Sequence, residues 1–221
     1  MTTTIVSAAA MESMPIRWHT LWRALILTPP PDLLRQLLKA WREPQRHYHT
    51  LQHLSESLSL LDEVRGQAQH PLEIELALWF HDAVYDVRAH DNEQRSAHWA
   101  ERALTDAGLA PDSVRRVHDL IMATCHGAVP ASSTSPDAAL LTDIDLAILG
   151  APAPRFAEYE RQIRAEYAWV APDIFAVKRR AVLRGFLDRP AIYATAILHR
   201  RLEAQARRNL SDAVGNAAPT D

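Results

Sequence analysis

Pro71-Leu-Glu-Ile-Glu-Leu-Ala-Leu-Trp-Phe-His-Asp-Ala-Val-Tyr-Asp86 is the stretch on which the fold turns. Proline suits the first position of a helix, where a backbone N–H would have had no partner. From Leu76 to Phe80 the run is apolar on every side, which implies a helix surrounded by other elements rather than one lying on a surface. His81 and Asp82 stand at the end of that buried run, and each needs compensation there. Outward from this stretch, apolar residues recur at three- and four-residue spacing almost throughout. The six glycines and most of the 14 prolines fall where helices should end. The spacing predicts helices near 16–27, 31–41, 50–65, 71–86, 92–107, 112–126, 138–149, 153–169, 172–188 and 190–209. No alternating run suggests a sheet, and no period suggests a solenoid. The expected fold class is all-α, a compact bundle of about ten helices.

A chain of 221 residues, 48% of them hydrophobic, can bury one core. The expected organisation is a loose tail over 1–15, one helical domain over 16–209 with 170–209 as a candidate C-terminal subdomain, and a second tail over 210–221. Gly127 to Asp137, GAVPASSTSPD, reads as a polar, proline-rich loop. The 24 Lys and Arg against 27 Asp and Glu leave a net charge of -3, which does not favour nucleic acid as a partner. Trp18, Trp22, Trp41 and Trp79 fall at helical core positions without basic interleaving. No run reaches the length of a membrane span, the first ten residues lack the features of an export leader, and Cys125 is the single cysteine. The expected location is the cytoplasm, with no membrane partner; dimerisation through an exposed helix is compatible with this reading.

Histidine is abundant, at 11 residues, and unevenly spread. His47, His49 and His53 share the window Arg46-His-Tyr-His-Thr-Leu-Gln-His53. On a helix beginning near Thr50, His49 and His53 would share a face and aim two imidazoles at one point. Of three His-Asp pairs, His81-Asp82, His90-Asp91 and His118-Asp119, only the first sits at the end of a buried segment. A metal ion would compensate both of its side chains at once. In Leu141-Thr-Asp-Ile-Asp-Leu-Ala-Ile-Leu-Gly150, Asp143 and Asp145 interrupt another apolar helix, and helix capping accounts for Asp143 better than for Asp145. His118 and His126 lie about two turns apart on one predicted helix, with His126 at the edge of the polar loop.

In chain order these residues are a histidine at 49 or 53, the doublet His81-Asp82, His126 and Asp145. The order resembles the HD superfamily of metal-dependent phosphohydrolases, whose signature is H…HD…D on a helical bundle. The segments EPQRHYHTLQHL, WFHDAVYD, Asn92-Glu93…Ser96, DIDLAILG and FLDRPAIY are similar to an uncharacterised group within it, over roughly residues 16–209. The resemblance implies an HD-like fold and one divalent metal held by His49, His81, Asp82 and Asp145. His53 competes with His49, and Asp143 with Asp145.

Two imidazoles and two carboxylates suit Mn, Fe, Co, Ni or Zn. The implied activity is hydrolysis of a small phosphorylated molecule, a phosphomonoester or phosphodiester and by extension a nucleotide, by metal-activated water. Asp82 would orient that water, and His53 or His126 would move a proton. Arg46, Lys178 and Arg179 are candidate phosphate-binding cations. Glu93 and Asp86 are candidates to orient ligand histidines from behind. Two other functions fit the same residues. One is a di-iron oxygenase in which His53, His118 or His126 help hold the second metal. The other is a protein that binds metal or nucleotide without turnover.

Overall fold

The computed structural model of the chain describes residues 8–125 and 135–215, with backbone alone for 8–13. Among the described residues there are ten α-helices, two short 3-10 segments and no strand, so the all-α fold class holds. None of these helices is long and apolar enough to cross a membrane. The chain divides into two units, Met1–Leu141 and Thr142–Asp221.

The first unit contains α1 (Ala8–Ala24), α2 (Leu33–Ala40), α3 (Leu51–Val64), α4 (Pro71–Phe80), α5 (Asn92–Asp106), α6 (Pro111–Met122) and the first residues of α7 (Pro136–Asp145). Helix α4 is its centre. Every residue from Glu73 to Phe80 is buried, and α1, α3, α5 and α6 all pack on it, as its apolar circumference requires. The two acids inside that run are neutralised by cations from other elements. Glu73 takes a fork from Arg116 at 2.6 and 2.7 Å, and Glu75 is held by Arg17 at 2.8 Å and by Arg65. Trp18, Trp22, Trp41 and Trp79 are all fully buried, with Trp18 packed edge-on to Trp79 at 5.0 Å, so core packing is their role.

The second unit contains the end of α7, a 3-10 segment (Leu146–Gly150), α8 (Ala153–Glu166), α9 (Pro172–Leu187) and α10 (Ala196–Gly215). Helix α10 packs along both the 3-10 segment and α9. The Asn209 amide donates to the carbonyls of Leu149 and Ala151, both at 2.8 Å, and the Tyr193 phenol donates to that of Leu146 at 3.1 Å. Gly150 allows this packing, because a Cβ there would lie 2.7 Å from Leu202 Cβ and 2.9 Å from the Leu202 carbonyl.

Several boundaries differ from the periodicity. Helix α1 begins at Ala8, inside the expected tail, because Ala8-Ala-Ala10 are strong helix formers. Helix α4 ends at Phe80 rather than near 86, where the backbone turns out of the helix. Helix α10 begins at Ala196 rather than near 190 and continues to Gly215, past the expected end of the domain. Asp143 decides that start by accepting hydrogen bonds from Ala194 N, Thr195 N and Thr195 Oγ1 at 2.8, 2.7 and 2.6 Å. The polar loop lies largely outside the described residues. Its far end is fastened, since Asp137 accepts from the backbone N–H groups of Gln69 and His70 at 2.7 and 2.9 Å.

Candidate metal centre

Thr50 caps α3, its hydroxyl accepting from Gln52 N at 3.3 Å, so the helix starts at Leu51. His49 therefore precedes the cap, while His53 occupies the first turn. The two do not share a helical face as the spacing suggested. His53 is buried and points at the end of α4. His49 is half-buried and stacks on the Tyr85 ring, with centroids 4.1 Å apart. Of the competing histidines, His53 is thus the one gathered with the doublet, and His49 is the one beside it.

His81 follows the last residue of α4 and is buried. Its Nδ1 lies 2.9 Å from the Leu78 carbonyl, which can only accept, so Nδ1 carries the proton and Nε2 presents a lone pair. That Nε2 lies 3.1 Å from His53 Nε2 and 3.1 Å from Asp82 Oδ2, and His53 Nε2 lies 3.6 Å from the same oxygen. On its other side, His53 Nδ1 meets the Tyr48 phenol at 3.1 Å. Each imidazole is held from behind by an oxygen, the arrangement that fixes metal-bound histidines.

The three donor atoms fit a metal ion. A triangle with those sides has a circumscribed radius of about 1.9 Å, so a point at the roughly 2.1 Å reach of a divalent transition ion lies just off its plane. Two nitrogen lone pairs and a carboxylate oxygen brought this close repel one another unless a proton or a cation lies among them. These buried His and Asp groups can hold a metal ion. The Asp82 side chain is 17% exposed against 3% for His53 and 1% for His81, so the set opens towards solvent at the carboxylate.

The turn that carries the doublet is fastened from two directions. The Arg46 guanidinium, with no exposed side-chain surface, donates to the carbonyls of Asp82 at 2.6 Å, Ala83 at 3.1 Å and His49 at 3.3 Å, and to Glu43 at 3.0 Å. It also lies over the rings of Trp41 and Tyr85, at 5.7 and 5.4 Å. From α5, the buried Ser96 hydroxyl accepts from Val84 N at 3.0 Å. The Asn92 amide exchanges two hydrogen bonds with the backbone of Asp86, at 3.1 and 2.9 Å.

The remaining candidates have other surroundings. Arg46 is engaged with backbone carbonyls rather than directed outward as a phosphate-binding cation. Arg179 pairs with Glu160 at 2.5 Å and lies over the Tyr159 ring at 5.0 Å. Burial opposes its charge, but the neighbouring phenol and carboxylate outweigh this and raise its pKa. Lys178 is exposed on α9. Asp86 is exposed and accepts from Arg88 N at 2.9 Å, while Leu78 and Tyr48 fill the orienting role assigned to Asp86 and Glu93. Glu93 is half-buried in the first turn of α5.

Asp143 is saturated by the start of α10. Burial pushes its carboxyl pKa up, against the hydrogen bonds from Thr195 and Ala194 that pull it down. Asp145, half-buried, is the last residue of α7. His118 belongs to a separate group on α5 and α6, and His126 lies outside the described residues. Sequence reasoning missed Tyr48 and Trp41 as neighbours of the imidazoles, although Tyr48 lies inside the histidine window and Trp41 shortly before it; the Trp41 ring lies 5.5 Å from that of His81. No family model, curated protein or solved structure matches the chain.

Proposed function

We propose that the chain is a metal-dependent phosphohydrolase of the HD type, acting on a small phosphomonoester or phosphodiester. The observation that carries this reading is the triangle of His53 Nε2, His81 Nε2 and Asp82 Oδ2, with sides of 3.1, 3.1 and 3.6 Å. The proposed ligands are those three residues, which supply the H…HD part of the H…HD…D order. The first histidine of that order is then His53 in place of His49.

A divalent transition ion held there supplies Lewis acidity towards a phosphoryl oxygen and lowers the pKa of water. The protein's own groups would do the rest. The Leu78 carbonyl keeps His81 in one tautomer, and Leu78 and Tyr48 together hold the orientation of the two imidazoles. Asp82, the most exposed of the three, would orient water on the solvent side. His49, whose ring centroid is 6.0 Å from that of His53, would carry the proton that the leaving oxygen takes up. Arg46 would keep the doublet's backbone in place.

The test is metal content and phosphoesterase activity of chelator-stripped protein reloaded with Mn, Fe, Co, Ni or Zn. Substrates would be aryl phosphate monoesters and diesters and a nucleotide panel. His53→Ala, His81→Ala and Asp82→Ala are expected to lose the ion together with turnover. His49→Ala should keep the ion while turnover falls by about a hundredfold, in the usual range for loss of an acid-base group. Metal bound with no turnover on any phosphoester would leave a metal-holding or nucleotide-binding protein, and two irons without phosphatase activity would point to oxygenase chemistry. An unchanged metal affinity in His53→Ala and His81→Ala would overturn the site itself.

A further inference from the structure

We infer that the chain has a second site for a transition-metal dication, formed by His98 and Glu101 on α5 and His118 on α6. His98 and Glu101 are three residues apart, so they share one face of their helix. Helix α6 packs alongside α5 and brings His118 opposite, with the two imidazole centroids 5.9 Å apart. One ligand atom from each of the three residues lies within 4.8 Å of the others.

The second observation concerns the imidazole of His118. Its Nδ1 lies 3.4 Å from Asp119 Oδ1, a long contact in which only the nitrogen can donate to an ionised carboxylate. This leaves the Nε2 lone pair for a metal, with a carboxylate behind the ring in the manner of metal-bound histidines. Among the described residues, no hydrogen bond or ion pair engages the carboxylate of Glu101, which is exposed, as His98 is.

Two imidazole nitrogens and one carboxylate oxygen select Zn, Co, Ni or Cu over Mg and Ca, which prefer sets made of oxygen. Three protein ligands leave a position for water or for a donor from outside the chain. Because both helices also pack on α4, the helix that ends in His81-Asp82, an ion here would join two of the supports of that helix. The site draws on no residue of the His53, His81 and Asp82 set, and it stands or falls independently of the phosphohydrolase reading.

The test uses the full chain without an affinity tag, stripped with chelator and titrated with zinc and cobalt by calorimetry and visible absorption. The wild type is expected to take up two equivalents and His98→Ala/His118→Ala one fewer, with its metal-free thermal midpoint little changed because His98 is exposed and His118 only half-buried. Glu101→Gln should weaken the same equivalent by about tenfold. His53→Ala/His81→Ala should keep it. A wild type that binds a single equivalent, lost in His98→Ala/His118→Ala, would support this site and remove the other. Identical titrations of the wild type and His98→Ala/His118→Ala would overturn the inference.

Discussion

Replacing Arg46 with methionine keeps an unbranched apolar stem and removes the guanidinium, and its cost follows from what that group touches. The bond to the Asp82 carbonyl, at 2.6 Å, is short and part-buried, that to Ala83, at 3.1 Å, is buried, and the contact to His49 at 3.3 Å is weaker. The Glu43 side chain is 41% exposed, so the ion pair with it adds little. Two hydrogen bonds from a charged donor, at about 1.5–3 kcal/mol each, predict a loss of about 3–6 kcal/mol. The contacts with Trp41 and Tyr85 add to this, and methionine packing offsets part of it. Urea unfolding at neutral pH, followed by tryptophan fluorescence, measures the change as a lower midpoint with an unaltered slope. Because the same guanidinium holds the Asp82 peptide, metal affinity should fall by about 10- to 100-fold as well. Arg46→Lys should fall between, since one ammonium cannot reproduce the fork. An Arg46→Met protein within about 0.5 kcal/mol of the wild type, with unchanged metal affinity, would refute the reasoning.

Three further outcomes can be checked on the same material. Ser96→Ala removes the acceptor of the Val84 N–H and should cost about 1–2 kcal/mol in urea, with a measurable drop in metal affinity because Val84 follows the doublet by two residues. Gly150→Ala puts a Cβ against Leu202 Cβ and the Leu202 carbonyl, neither of which is the far end of a flexible side chain, and should lower stability by about 1–3 kcal/mol. Burial pushes the Tyr193 phenol above the ordinary tyrosine range. The folded state therefore holds that proton more tightly than the unfolded chain, and the resulting stability is complete below about pH 10 and is lost as pH rises towards the folded value. Tyr193→Phe should be less stable than the wild type at neutral pH by about 1 kcal/mol, the hydrogen bond to Leu146, and this gap should narrow above pH 10 in alkaline unfolding curves.

Much of the site was legible because it strains a local pattern. His81 and Asp82 announce themselves by ending an apolar run, and the structure puts both beside His53. Arg46 was noticed as a cation near the histidines, but its acceptors at Asp82 and Ala83 lie 36 and 37 residues away in the chain. A guanidinium looks the same in sequence whether it meets a phosphate or a carbonyl.

The sequence by itself determined the helices, because helical periodicity is a property of neighbours three and four residues apart and α4's apolar circumference requires a surrounding layer. It also determined that something must compensate a histidine and an aspartate at the end of that layer. Tertiary structure alone decided which histidine joins them. Thr50 starts α3 one residue after His49, turning His53 inward and leaving His49 against Tyr85. Tertiary structure likewise separated the two aspartates of α7, since Asp143 is saturated by backbone N–H groups 51 and 52 residues further on. The physical reason is the same in both cases. A side chain's chemistry is set by the residue itself, whereas its partner is set by whichever distant backbone or side chain packing brings within about 3 Å.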